Sequence, residues 1–254
     1  MPVNDALSTR MKTYYEDPAK TSLIRRMPVA IRVDGKAFHT FTRGFQKPYD
    51  RLLMTTMQET MLYLCENIQG CVLGYTQSDE ITLILVDYQK LETSAWFDNE
   101  VEKICSVSAS MATLAFNKFF DANVCNLDPD VPSEKSNAYY MASQRGALFD
   151  SRCFNIPKEE VTNLIYWRQL DAMRNSVQMA GRAVFSHREL EHRNTDEIKA
   201  MLLARGIDWE AYATDEKRGS CCVKGLQGWA IDREIPIFRG AAREYIDKLV
   251  FVGE

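Results

Sequence analysis

The sequence predicts an α+β protein in which a ferredoxin-like βαββαβ unit is followed by a mainly helical region. Three observations favour this fold class: four short strand-like runs before residue 155, two long segments with helical periodicity between them, and repeated helix start signals after Pro157. The order βαββαβ gives an antiparallel four-stranded sheet with both helices on one face. We therefore expect a sheet domain over residues 1–155 and a mainly helical region, 156–254, packed on it.

The first half of the unit contains a strand, a helix and a hairpin. A strand is predicted over residues 28–33, and it ends at Asp34-Gly35, where glycine permits a sharp turn. Asp50 is a good N-cap, and apolar residues then recur at intervals of three and four until Gly70, which predicts an amphipathic helix. The next predicted strands, 71–75 and 81–86, are separated only by residues 76–80, so we expect a hairpin.

The later elements follow from the same signals. A helical pattern opens at Ser94 and continues towards Asp121, and residues 128–133 have the composition of a turn. The remaining predicted elements are a strand over 147–154, helices with capping boxes at Ser186 to Glu189 and Asn194 to Glu197, a helix stop at Gly206, a strand over 219–224 and a last helix over 242–249.

Composition excludes several classes of protein. With 254 residues, 46% hydrophobic and 26% charged, the chain is neither disordered nor fibrous. It lacks an apolar run long enough to cross a membrane and a signal-peptide core, so we expect a cytoplasmic protein. The seven cysteines are odd in number and show no zinc-binding spacing, which favours reduced thiols. A net charge of -4 excludes a general polyanion-binding tail but allows a local basic groove for nucleic acid.

Two aspartates are expected to converge at one edge of the sheet. In a βαββαβ unit the first and third strands are central neighbours, so Asp34 at the end of strand one can approach Asp79 in the hairpin. Two carboxylates beside the Gly35 carbonyl suit Mg²⁺, and two such ions could support phosphoryl transfer. Asp is also abundant as a turn cap, and spacing alone leaves that alternative open.

Several basic residues surround this predicted edge and could bind a triphosphate. They are Arg32, Lys36, His39, Lys47, Lys103 and Arg152. Taken singly, each is explained equally by an exposed surface position. If the helix through residue 182 is continuous, a polar face carries Arg168, Asp171, Asn175, Gln178 and Arg182. That face is either solvated or a surface for RNA or nucleotide.

The motifs taken together resemble those of the tRNA-histidine guanylyltransferase superfamily. The resemblance extends from about residue 10 to residue 190 and rests on several ordered segments. These are Arg32-Val33-Asp34-Gly35-Lys36-Ala37-Phe38-His39-Thr40-Phe41, Lys47-Pro48-Tyr49-Asp50, Gln77-Ser78-Asp79-Glu80, Phe149-Asp150-Ser151-Arg152, Trp167-Arg168-Gln169, Asp171-Ala172-x-Arg174-Asn175-Ser176 and Phe185-Ser186-His187-Arg188-Glu189-Leu190.

The resemblance implies a palm-like catalytic domain and an Mg²⁺-dependent 3′-to-5′ nucleotidyltransferase that acts on the 5′ end of tRNA or tRNA-like RNA. It implies that Asp34, the Gly35 carbonyl and Asp79 hold two Mg²⁺ ions. ATP, GTP and other nucleoside triphosphates would be partners, and the assembly would be a homotetramer. The implied nucleotide contacts are Asp34, Gly35, Lys36, Ala37, Phe38, His39, Ser78 and Asp79. Lys47 and Ser78 resemble residues linked to 5′ activation, and Arg32, Lys103 and Arg152 resemble phosphate contacts used in transfer.

One segment departs from the family pattern. Where the eukaryotic enzymes carry H-I-N-N-L-Y-N, this chain has Met173-Arg174-Asn175-Ser176-Val177-Gln178-Met179. This resembles the bacterial and archaeal branch, whose members favour template-directed repair of truncated 5′ ends. Two other functions stay open at the sequence level: a nucleotidyl cyclase with a similar palm, which would need no RNA, and an RNA-binding module without catalysis.

Overall fold

The computed structural model describes residues 5–253, and these form an α+β fold around a six-stranded antiparallel sheet. The strands are β1 (Val29–Gly35), β2 (Cys71–Gln77), β3 (Glu80–Leu85), β4 (Phe149–Asn155), β5 (Ser220–Gly225) and β6 (Gly228–Asp232). Their order in the sheet is β4-β1-β3-β2-β5-β6. The first and third strands are therefore central neighbours, as predicted.

The helices lie between and beyond the strands. They are α1 (Asp5–Met11), α2 (Phe38–Phe41), α3 (Arg51–Asn67), α4 (Val101–Cys125), α5 (Ser133–Arg145), α6 (Lys158–Val184), α7 (His187–Leu190), α8 (Thr195–Ala204), α9 (Thr214–Arg218) and α10 (Glu244–Asp247). No helix within residues 5–253 combines the length and apolar character needed to cross a lipid bilayer.

Alternation along the strands separates two hydrophobic cores. Ile31 and Leu83 face α3 and α4, which both pack on the first face of the sheet. Ala30 and Ile84 face the opposite side, where Ile165 of α6 covers them. A third cluster joins the C-terminal half of α6 to α8 and the segment around Trp209. The helix α6 therefore connects the sheet to the C-terminal helices.

The structure confirms several local signals. The side chain of Asp50 accepts a hydrogen bond from the Leu53 amide and caps α3. Both capping boxes are present, at Ser186 to Glu189 and at Asn194 to Glu197. These signals are local to one helix end, which is why the sequence shows them directly.

Some predicted boundaries are wrong. The hairpin turn contains only Ser78 and Asp79, because β2 continues to Gln77 and β3 already begins at Glu80. The helix expected from Ser94 begins at Val101, after a short 3₁₀ turn over Trp96–Asn99. The last predicted helix is reduced to a 3₁₀ turn followed by α10. The sequence interpretation also missed α5 and β6.

Candidate active site

The two predicted carboxylates lie at one edge of the sheet. Asp34 is near the end of β1, where it pairs in register with Glu80 of β3 and Asp150 of β4. The amide of Gly35 donates a hydrogen bond to the carbonyl of Asp79 at 3.0 Å. Strand β1 is thereby fastened to the two-residue turn, and Asp34 and Asp79 occupy the same edge.

The electrostatics of this edge favour a cation. Burial raises the pKa of Asp79, and the negative charge of Asp34 raises it further, although a hydrogen bond from the Ser78 hydroxyl opposes both effects. That hydroxyl lies 2.9 Å from the Asp79 carboxylate. Among residues 5–253, no lysine, arginine or histidine forms an ion pair with Asp79, whereas Arg152 lies 3.8 Å from the carboxylate of Asp34. The paired carboxylates thus repel each other without full compensation by the protein.

A cleft of about 620 Å³ opens beside the turn. One wall is the segment from Gly35 to His39, which turns sharply because Ala37 has a left-handed backbone with φ of 55°. Gly35 is required sterically, since a Cβ atom there would lie 2.3 Å from the Phe38 ring. The cleft is large enough for a nucleotide, by comparison with typical ligand sites.

A second wall carries Lys47 and is organised by Asp50. The buried carboxylate of Asp50 accepts hydrogen bonds from the Gln46 amide at 2.8 Å and from the Tyr139 hydroxyl at 2.7 Å, besides capping α3. The Tyr49 hydroxyl donates to the carbonyl of Ser176 on α6 at 3.0 Å. These contacts fix the segment from both ends and leave the Lys47 side chain exposed at the cleft.

A basic face adjoins Asp34 on the other side of the edge. Arg32 and Arg152 are directly opposite each other on β1 and β4, so their side chains emerge on the same face. Arg152 lies 3.0 Å from Asp150, and Arg32 lies 3.4 Å from Glu80. Both guanidinium groups are therefore close to the sheet edge that carries Asp34.

The structure brings most, but not all, of the predicted site residues together. Those that line the cleft are Gly35, Ala37, Phe38, His39, Lys47, Ser78 and Asp79. Arg32, Asp34 and Arg152 lie on the adjoining face. Lys36 is exposed outside the cleft lining. Lys103 is placed apart in the first turn of α4, where its ammonium lies 3.2 Å from Glu100.

Sequence interpretation missed two contributions from α6. Met179 and Arg182 line the cleft, although neither was singled out as a nucleotide contact. Arg168 was placed on a face that was either solvated or a binding surface, and the solvated interpretation is wrong for it. Arg168 is 8% exposed and pairs with Glu80 on the sheet. The helical spacing that aligned Arg168 with Arg182 was visible, but their different partners were not.

Comparisons with known proteins agree with this geometry. Residues 8–157 match the sequence model of the family described as tRNAHis guanylyltransferase. A solved bacterial tRNAHis guanylyltransferase-like protein in complex with ATP is similar over 97% of this chain and 100% of its own, with 38% identity and a TM-score of 0.84. The corresponding structure in complex with GTP has 36% identity, the same coverage and a TM-score of 0.79. A probable tRNAHis guanylyltransferase of Dictyostelium discoideum is 24% identical over 220 residues, covering 80% of this chain and 77% of that protein.

Proposed function

The chain belongs to the tRNA-histidine guanylyltransferase family and is a 3′-to-5′ nucleotidyltransferase, and we propose that its reaction is template-directed repair of truncated tRNA 5′ ends. The observation that carries the proposal is the pair of carboxylates, Asp34 and Asp79, at the mouth of a nucleotide-sized cleft. The strand order β4-β1-β3-β2, with α3 and α4 on one face, supports a palm-like catalytic domain.

The residues present fit magnesium. Among residues 5–253, no set of three or more His, Cys, Asp or Glu side chains is placed to hold a metal ion. The protein would instead offer Asp34, Asp79 and the Gly35 carbonyl, and this incomplete oxygen shell suits Mg²⁺, which usually retains water and binds substrate phosphates. The ions, when bound, neutralise charge on the reacting phosphates. The uncompensated repulsion between the two carboxylates supports this assignment.

The cleft is the proposed site of activation. The bacterial relatives were solved with ATP and with GTP, and we propose that this chain accepts the same nucleotides between the Gly35–His39 segment and α6. As the family implies, a 5′-monophosphate end is first adenylylated. Lys47 and Ser78 line the cleft near Asp79, where a cation and a hydroxyl can orient and neutralise phosphate oxygens.

The face beside Asp34 is the proposed site of transfer. The 3′-hydroxyl of an incoming nucleoside triphosphate attacks the activated 5′-phosphate, and AMP leaves. Arg32 and Arg152 are positioned to bind the phosphates of that nucleotide. The role of Lys103 in the same step requires its ammonium to leave Glu100 and extend past the edge of β4. The protein's contribution is placement and charge compensation rather than a nucleophilic side chain.

Template direction is proposed from the segment Met173 to Met179. It stands where the eukaryotic enzymes have H-I-N-N-L-Y-N, and in this structure it belongs to α6 and carries Met179 into the cleft wall. Without a guanine-specific segment, pairing with the opposite strand would select the added nucleotide. We also propose the homotetramer implied by the family, which light scattering of the full chain can test.

The decisive experiment uses a tRNA that lacks its first nucleotide, labelled nucleoside triphosphates and Mg²⁺. We expect a full acceptor stem to be restored and the added nucleotide to change with the opposing base. Addition of G opposite A as readily as opposite C, only on tRNA-histidine, would contradict template direction. Product formation from GTP or ATP alone would favour a cyclase, and RNA binding without extension would favour a binding module.

A further inference from the structure

Glu80 follows the candidate metal ligand Asp79, but its side chain is committed to a different contact. Register pairing places Glu80 directly opposite Asp34, so the two carboxylates lie on the same face of the sheet. Glu80 is 6% exposed, and both of its oxygens are engaged by Arg168, at 2.7 Å from Nε and 2.8 Å from Nη2. A third carboxylate close to the cation site is therefore occupied by a bidentate guanidinium.

Arg168 is itself fixed by its surroundings. It lies in the middle of α6, whose Val161 and Ile165 are buried against the sheet. Its guanidinium also donates to Asp171 at 3.2 Å and lies 4.6 Å from the centre of the Trp167 ring. Packing, an ion pair and a ring contact thus hold the guanidinium in one orientation towards Glu80.

The turn that carries Asp79 depends on contacts at both of its ends. Ser78 has φ of 52°, a left-handed conformation that is unfavourable for serine and must be maintained by its neighbours. On one side the Gly35 amide bonds to the Asp79 carbonyl. On the other, Glu80 is bonded through its carbonyl to the Thr76 hydroxyl at 2.9 Å and through its carboxylate to Arg168. The carboxylate contact connects the turn to α6.

We propose that Arg168 is a positioning residue for the cation site: by holding Glu80 in a bidentate pair, it keeps that carboxylate from the cation and fixes the turn that presents Asp79. This inference rests on the proposed nucleotidyltransferase function. Loss of the pair frees a third negative charge beside Asp34 and releases one end of the turn. Residues that orient metal ligands in this way typically change metal affinity or activity 10–100-fold when they are replaced.

The test measures Mn²⁺ binding by electron paramagnetic resonance in the full chain with ATP, together with kcat and KM for extension. Arg168→Met is expected to weaken Mn²⁺ binding about 10–100-fold and to lower kcat more than it raises KM for nucleotide. Arg168→Lys keeps the charge but not the bidentate geometry, so an intermediate loss is expected. Glu80→Gln still accepts a hydrogen bond from Arg168 and should weaken binding by about tenfold or less.

The matched control is Arg193→Met, which removes a surface pair with Glu197 of the same Arg–Glu type and should leave Mn²⁺ binding unchanged. Misfolding alone would reduce the number of sites per chain at unchanged affinity, whereas the proposal requires weaker affinity in a folded chain. If Arg168→Met does not fold, Arg168→Lys and Glu80→Gln provide the same test.

Two results would overturn the inference. The first is wild-type Mn²⁺ affinity and kcat in folded Arg168 variants. The second is a loss in Glu80→Gln as large as that in Asp79→Asn, which would make Glu80 a metal ligand. Failure of the wild-type protein to bind Mn²⁺ with ATP would instead count against the proposed function, so the two failures are distinguishable.

Discussion

Asp79→Asn is predicted to raise the stability of the metal-free protein and to abolish its activity. Burial and the charge of Asp34 raise the pKa of Asp79, so its ionised form is disfavoured in the folded state. For a carboxyl whose folded pKa is raised, the fold is most stable while the group is protonated. That stability is lost as pH rises from the ordinary pKa of Asp through the raised one. Asparagine has the same shape and no charge, so it avoids this loss.

The two effects differ in size. Asparagine weakens the hydrogen bond from Ser78 by about 1 kcal/mol, the difference between a charged and a neutral acceptor. The raised pKa already includes that bond, so the net change in the free energy of unfolding is a gain, which we expect to be about 0.5–2 kcal/mol at neutral pH. Loss of a charged ligand should cost about 4 kcal/mol of transition-state stabilisation, or roughly a thousandfold in rate.

Urea unfolding in the presence of a chelator measures the first effect, and labelled-nucleotide assays of adenylylation and extension measure the second. The stability gain should disappear at acid pH, where Asp79 is protonated in the wild-type protein too. Asp130→Asn, at an exposed acid, serves as the control and should change stability by less than about 0.5 kcal/mol. A less stable Asp79→Asn protein at neutral pH, or one with more than a tenth of wild-type activity, would refute the reasoning.

Lys47→Ala should impair a 5′-monophosphorylated RNA far more than a 5′-triphosphorylated one, and equal losses on the two substrates would contradict its activation role. Arg152→Ala should impair both substrates alike, because its position beside Asp34 suits a phosphate contact in transfer; single-turnover extension of each RNA measures this. Tyr139→Phe removes the hydroxyl that donates to Asp50, and we expect urea unfolding to show a loss of about 1.5–3 kcal/mol. A zinc chelator that spares Mg²⁺ should leave extension intact, and loss of activity with release of stoichiometric zinc would disprove this.

Local signals in the sequence predicted the elements whose stabilising contacts are close in the chain. The helix α3 is capped by Asp50 three residues from the amide that it binds, and the sequence shows that pattern directly. The helix α5 was missed because its sequence is mostly polar and it buries only Tyr139 and Ala142. Its stabilising contact to Asp50 joins residues 89 positions apart, which no local pattern reveals.

The candidate site shows the same division. The convergence of Asp34 and Asp79 could be predicted, because it follows from the order of four strands. The five-residue hairpin loop was wrong because Thr76 and Glu80 are polar and resemble turn residues. In the structure the Glu80 carboxylate is buried against Arg168, 88 positions away. A buried ion pair of this kind has no periodicity, so hydrophobic patterning assigned both partners to solvent.

The place of β5 in the sheet has a consequence for synthesis of the chain. Strand β2 pairs on one side with its neighbour β3 but on the other with β5, and the Tyr75 hydroxyl reaches Arg218, 143 residues further along the chain. On the ribosome, β2 therefore presents an unpaired edge until residue 223 has emerged, long after both carboxylates are in place. Such edges promote association between nascent chains, and distant pairing of this kind slows folding. Shielding of the β2 edge by a chaperone is thus expected to matter more for the yield of this protein than for the stability of the finished fold.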